Sequence, residues 1–145
     1  MIQFFIPGTP KGQPRPKAFS RGGHAGVYDP GSANEWKQNV RDSAKKTGST
    51  ITSGFPLSVF MDFKIARPRG HYRSGKNAQS LKPNCPRWHV SKPDSDNLAK
   101  AVMDALNDCG FWPDDSIVAL LQVKKSYSNT GETGCIVVVD TMPEA

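Results

Sequence analysis

The sequence predicts an α+β fold: a single small domain, a mixed or antiparallel sheet of about four strands, and two main helices. Three observations lead there. At 145 residues the chain suits one hydrophobic core better than two. Two stretches carry apolar residues at helical spacing. The remaining apolar stretches are short, giving the order β, α, β, long basic loop, α, β, β with no regular βαβ alternation.

The first strand is "IQFFIPG", closed by Pro7 and Gly8, and a Pro/Gly/basic loop follows to about Pro30. In "SANEWKQNVRDSAKK", Ala33, Trp36, Val40 and Ala44 share one helical face, with Ser32 as candidate cap and Gly48 as the stop. In "PLSVFMDFKIA", Leu57, Val59, Met61, Phe63 and Ile65 alternate with Ser58, Phe60, Asp62 and Lys64, the period of a strand with one apolar face. Residues 67–93 contain four prolines and no periodic pattern, and loops of that length are functional or disordered. "SIVALLQVKKSY" and "GCIVVVDT" read as two more strands, and the turn-rich "SNTGETG" between them suits a hairpin.

The chain has a formal net charge of +6, unevenly spread. Residues 1–28 and 67–93 hold eleven of the nineteen basic residues and no acid. Acid-free basic runs interleaved with Tyr72, Trp88, His71 and His89 point to a polyanion partner, the competing reading being two solvated loops. Neither run forms a basic amphipathic helix, which argues against an anionic membrane surface. With no apolar run of about 18 residues and no signal-like N-terminus, a cytoplasmic location is the default expectation. Three cysteines without a CxxC pair argue against a disulfide framework; Cys85 and His89 have a spacing zinc could use, but lack a second ligand pair.

Six of the thirteen acids fall within "SKPDSDNLAKAVMDALNDCGFWPDDS", residues 91–116. On a helical wheel of about 100° per residue, Leu98, Ala101, Val102, Ala105 and Leu106 form one side. Asp96, Asn97, Lys100, Asp104 and Asn107 lie on a polar stripe, and Gly110 follows the helix end. Asp94, Ser95 and Asp96 are capping residue types, and Asp96 with Lys100 makes an i,i+4 pair. Such roles are worth about 1–2 kcal/mol in total. Capping needs only one carboxylate. Two carboxylates about 5 Å apart repel by roughly 3 kcal/mol unless a cation sits between them, and Mg²⁺ is the hard cation that suits them. An acid cluster beside basic segments therefore suggests phosphodiester cleavage at a metal site. Other enzymes use Asp-x-Asp for phosphoryl or sugar transfer, but in a nucleotide-binding sheet that this sequence does not announce.

"KPDSDNLAKAVMDALN", the turn "GFWPDDS" and the strand "IVALLQVKK" together resemble the signature of the RusA family of Holliday-junction resolvases. "FFIPGTPKGQPRPKAFSRGG" followed by "VYDP" resembles that family's first strand and basic loop. The resemblance implies one RusA-like endonuclease domain over 1–145, with a long basic loop at about 67–93. It also implies a Mg²⁺-dependent endonuclease, with Mn²⁺ as a possible substitute, acting as a homodimer on four-way DNA junctions in recombination and repair. Carried over by position, Asp94, Asp96 and Asp115 are the catalytic and metal-binding carboxylates, Lys100 is the catalytic lysine, and Asp114 is an additional acid at the metal. The frequency of the family in phages fits a phage or prophage source.

Lys11, Arg15, Lys17, Arg69 and Arg73 are the expected phosphate contacts. Trp88 is either a base-stacking residue or a loop anchor. A non-catalytic DNA-binding module and a metal-dependent nuclease without junction preference are the competing readings. The helix rises about 16 Å and the eight residues to Asp115 span at most about 27 Å. Asp115 thus reaches the helix start only if the loop doubles back; otherwise a second subunit supplies it.

Overall fold

The computed structural model describes residues 1–14, 17–28, 31–52 and 54–143, with the backbone alone for Lys17, Phe19, Val27 and Tyr28. Its strands are β1 (Ile2–Pro7), β2 (Lys17–Arg21), β3 (His24–Tyr28), β4 (Leu57–Ile65), β5 (Val118–Tyr127) and β6 (Gly134–Thr141), and its helices are α1 (Asn34–Lys46) and α2 (Ser95–Asp108). The fold is α+β, as the sequence predicts. A mixed four-stranded sheet runs in the order β1-β6-β4-β5, and β2 and β3 form a separate ribbon.

The alternation in β4 sets the layers. Leu57, Val59, Met61 and Phe63 are buried with Cys135, Val137 and Val139 of β6 and Phe4 and Ile6 of β1. Onto this face pack Trp36, Val40 and Ala44 of α1 and Leu98, Ala101, Val102, Ala105 and Leu106 of α2, closing one core. All five α2 residues are fully buried, so the helical face read from the sequence is the face the fold uses. Arg41 of α1 and Asp108 of α2 add an ion pair of 3.6 Å between the helices. The start of β6 lies against β1: a Cβ on Gly134 (φ 151°) would sit 2.1 Å from the Ile6 carbonyl oxygen.

Three expectations need correction. The segment expected to be a loop up to about Pro30 contains the β2–β3 hairpin, turned by Gly22 (φ 59°) and Gly23 (φ 82°). Two positive-φ residues are what a two-residue hairpin turn requires. β5 and β6 are not a hairpin, because β4 lies between them, antiparallel to β6 and parallel to β5. The β4–α2–β5 connection is therefore one βαβ unit within the mixed sheet. At α1 the N-cap is Ala33, not Ser32, and no side chain caps it.

The long basic segment is ordered by side chains bonding to backbone. Arg67 donates to the carbonyls of Ser128 (3.1 Å) and Pro86 (2.6 Å) and to Asn129 Oδ1 (2.7 Å), with its guanidinium over Tyr127. Between these anchors lie 3-10 turns at Arg69–His71 and Gly75–Asn77 and a Tyr72–Leu81 bridge. Residues 87–89 then run along β5: Tyr127 N donates to Arg87 O (2.9 Å), and Trp88 bridges Ser126.

Candidate active site

The connection from the β5 edge into α2 builds the site. Lys125 donates to the carbonyl oxygens of Ser91 and Pro93, each at 2.9 Å, and so fixes the residues just ahead of Asp94. From the other side, Gln13 N donates to Asn97 O at 3.0 Å, seating the basic N-terminal loop on the first turn of α2. The close fit shows at Gly12, where an added Cβ would lie 3.2 Å from that of Asn97.

Asp94 occupies the N-cap position of α2, yet its side chain makes no capping hydrogen bond. Its carboxylate is therefore not consumed by the role that position usually serves. Asp96 Oδ1 accepts from Asn97 N (2.9 Å). Both acids line an open crevice of about 640 Å³ with His89, Ser91, Lys92 and Lys125. Asp94 also faces a second hollow of about 570 Å³, shared with Lys11, Gln13, Lys92 and Asn97. Asp94 thus lies between lysines from three separate parts of the chain, Lys11, Lys92 and Lys125.

Further along the polar stripe, Lys100 is exposed, and no ion pair joins it to Asp96 among the described residues. Burial raises the Asp104 carboxyl above its usual range; Lys37 and Lys100 oppose that shift, and Asp115 and Asp108 add to it. The chain after α2 doubles back, so that the 3-10 turn Asp115–Ile117 brings Asp115 near Asp104. Asp114 accepts a hydrogen bond from Ser116 N (3.3 Å) and caps this turn. Its hydrogen bonds with Ser116 hold its carboxyl below the usual range.

The structure therefore brings Asp94 together with Asp96 in one hollow and with Lys11 in the other, and puts Asp115 near Asp104. Among the described residues no three His, Cys, Asp or Glu side chains form a group that could hold a metal. The Asp94–Asp96 pair on an open crevice still suits a hard cation that keeps most of its waters, which needs only one or two carboxylates plus substrate phosphate.

Arg69 and Arg73 lie on the basic excursion, away from the lining of both hollows, and Arg73 Nε is spent on the Leu81 carbonyl (3.2 Å). Arg15 and the side chain of Lys17 lie outside the described residues. Sequence reasoning missed Lys125 as a site residue and named His89 only within the basic 67–93 run and with Cys85, not beside the acids. Lys125 ends the quoted strand "IVALLQVKK", but nothing in that pattern says that its ammonium bonds the backbone ahead of Asp94. His89 is buried, edge-on to Tyr127, with Nδ1 unpartnered, and burial followed by Lys125 lowers its pKa.

An open crevice with two carboxylates and lysine-bearing walls, at the end of a parallel strand pair, has a charge pattern suited to an extended polyanion. Residues 7–139 match the family described as Endodeoxyribonuclease RusA, and the chain belongs to that family. Membership makes it an endodeoxyribonuclease of the junction-resolving class that binds branched DNA, in a family whose nucleases are generally divalent-metal dependent. The chain is also similar to the uncharacterized protein YqaN of Bacillus subtilis (strain 168), 37% identical over 131 residues that cover 88% of each chain. No helix among the described residues is long and apolar enough to cross a membrane.

Proposed function

We propose that the protein is a Mg²⁺-dependent resolvase, with Mn²⁺ able to substitute, that works as a homodimer and cuts paired strands of like polarity at four-way DNA junctions. On this reading the whole chain is one RusA-like domain from a phage or prophage source. The observation that carries the proposal is the Asp94 carboxylate: placed to cap α2, it makes no cap bond and faces an open crevice beside Asp96.

Asp94 and Asp96 would hold the cation; Asp115, which lies near Asp104 in its own subunit, would join as the third acid from the second subunit, with Asp114 as a neighbouring one. The cation would supply Lewis-acid activation of the phosphodiester and an activated water. Lys100, one turn beyond Asp96, neutralises the scissile phosphate or orients the attacking water. Lys11, Arg15, Lys17, Arg69 and Arg73 contact flanking phosphates, a role that Lys11 supports by sharing a hollow with Asp94. A junction has approximate two-fold symmetry, so a C2 dimer presents one site to each of two strands.

Asp96→Asn is the deciding variant, because asparagine suits a helix start about as well as aspartate but is a poor replacement for a charged Mg²⁺ ligand. It is expected to fold and bind a four-way junction while losing cleavage by at least about a hundredfold. Full cleavage in Mg²⁺ would overturn the proposal. Equal cleavage of a linear duplex of the same sequence would remove the junction preference.

A further inference from the structure

Trp88 is 48% exposed, whereas Trp36 and Trp112 are each 1% exposed. It is not a floppy loop residue. The backbone is bonded to β5 on both sides, by Tyr127 N to Arg87 O (2.9 Å) and His89 N to Lys125 O (3.3 Å), with Trp88 itself bridged to Ser126. The fold thus holds a large apolar ring rigidly in water, forgoing the burial that normally recovers about 2–3 kcal/mol for such a side chain.

The ring has two cations against it. Arg87 Cζ lies 4.8 Å and Lys124 Nζ 5.6 Å from the ring centroid. Neither cation has an ion pair among the described residues. Two positive charges gathered at one aromatic ring repel each other, and an anion would relieve that repulsion. An aromatic platform flanked by unneutralised cations has the chemistry of a nucleotide site: a base stacks on the ring and its phosphates meet the cations. Consecutive residues of an extended segment project to opposite faces. His89 lines the Asp94 crevice while Trp88 stands on the outer side of the same edge segment.

We infer that Trp88, with Arg87 and Lys124, stacks an unpaired base of branched DNA on the outer side of the edge segment whose other side lines the Asp94 crevice. Fully paired duplex offers no free base face and so gains nothing from this platform. The inference deepens the resolvase reading and rests on its DNA partner, but not on cleavage.

The test is binding without divalent metal, using a four-way junction, a single-stranded oligonucleotide and a linear duplex. Trp88→Ala is expected to weaken junction and single-strand binding about tenfold and leave duplex binding unchanged, with Trp88→Phe retaining most of the affinity. Because the other two tryptophans are buried, acrylamide-accessible emission reports Trp88, and junction DNA should protect it. Unchanged junction affinity in Trp88→Ala, an equal loss on duplex, or emission already protected in the free protein overturns the inference. Failure to bind any DNA overturns both this inference and the proposed function, whereas Trp88-independent binding overturns this inference alone.

Discussion

The ammonium of Lys125 sits 2.9 Å from the carbonyl oxygen of Pro93, and the next residue is Asp94. A cation near the end of the edge strand β5 thus sets where the helix bearing the acids begins. A second bond of equal length to Ser91 O makes the clamp bidentate. Lys125→Met keeps the aliphatic stem and removes both bonds. It is expected to cost about 1–2 kcal/mol in urea unfolding and to slow junction cleavage at least about tenfold by displacing Asp94. Unaltered unfolding would show that the clamp contributes nothing.

His89 gives a pH prediction. Its pKa is lowered by burial and by Lys125, and Nδ1 has no partner to receive a proton's bond. Between its folded value and its ordinary value near 6.5, the unfolded chain binds more protons than the native one. The stability that neutral His89 contributes is therefore complete above about pH 6.5 and is lost as pH falls through the folded value. Thermal unfolding of wild type and His89→Gln across this range checks it: the wild-type curve should fall more steeply on acidification.

The shift at Asp104 runs the other way. Burial raises its carboxyl, so the native state holds that proton more tightly than the unfolded chain. The ionised form then weakens the fold above the usual carboxylate range, near pH 3.9. Asp104→Asn should raise the melting temperature at pH 7 and give no gain in strongly acidic solution. An unchanged or lower melting temperature at pH 7 would mean that Lys37 and Lys100 outweigh the burial.

Arg67 is expected to act on the loop and not on DNA. Arg67→Ala removes bonds to Ser128, Pro86 and Asn129, costing about 2–3 kcal/mol. Limited proteolysis should then cut within residues 69–85 before any other site, with the salt dependence of DNA binding unchanged. A reduced salt slope would instead mark Arg67 as a phosphate contact.

Periodicity carried most of the fold. The α2 core face, the alternation of β4 and the glycines ending both helices were legible because each follows from a repeat or a required φ. β6 matches "GCIVVVDT" residue for residue. Strand partnership was not legible: a short turn between β5 and β6 suggested a hairpin, but β4 pairs with both and lies between them. The β2–β3 ribbon did carry its sign in Gly22-Gly23, obscured by the surrounding basic residues. At the site, the acids stood out by charge, while Lys125 acts through backbone carbonyls that no residue pattern encodes.

Because Arg67 ties the departure of the basic excursion to its return at Pro86, residues 69–85 form a closed appendage. Its length can change without pulling on α2 or the Asp94 crevice, since the strain of any insertion ends at the Arg67 clasp. The excursion can thus be reshaped while the Asp94 crevice keeps its geometry.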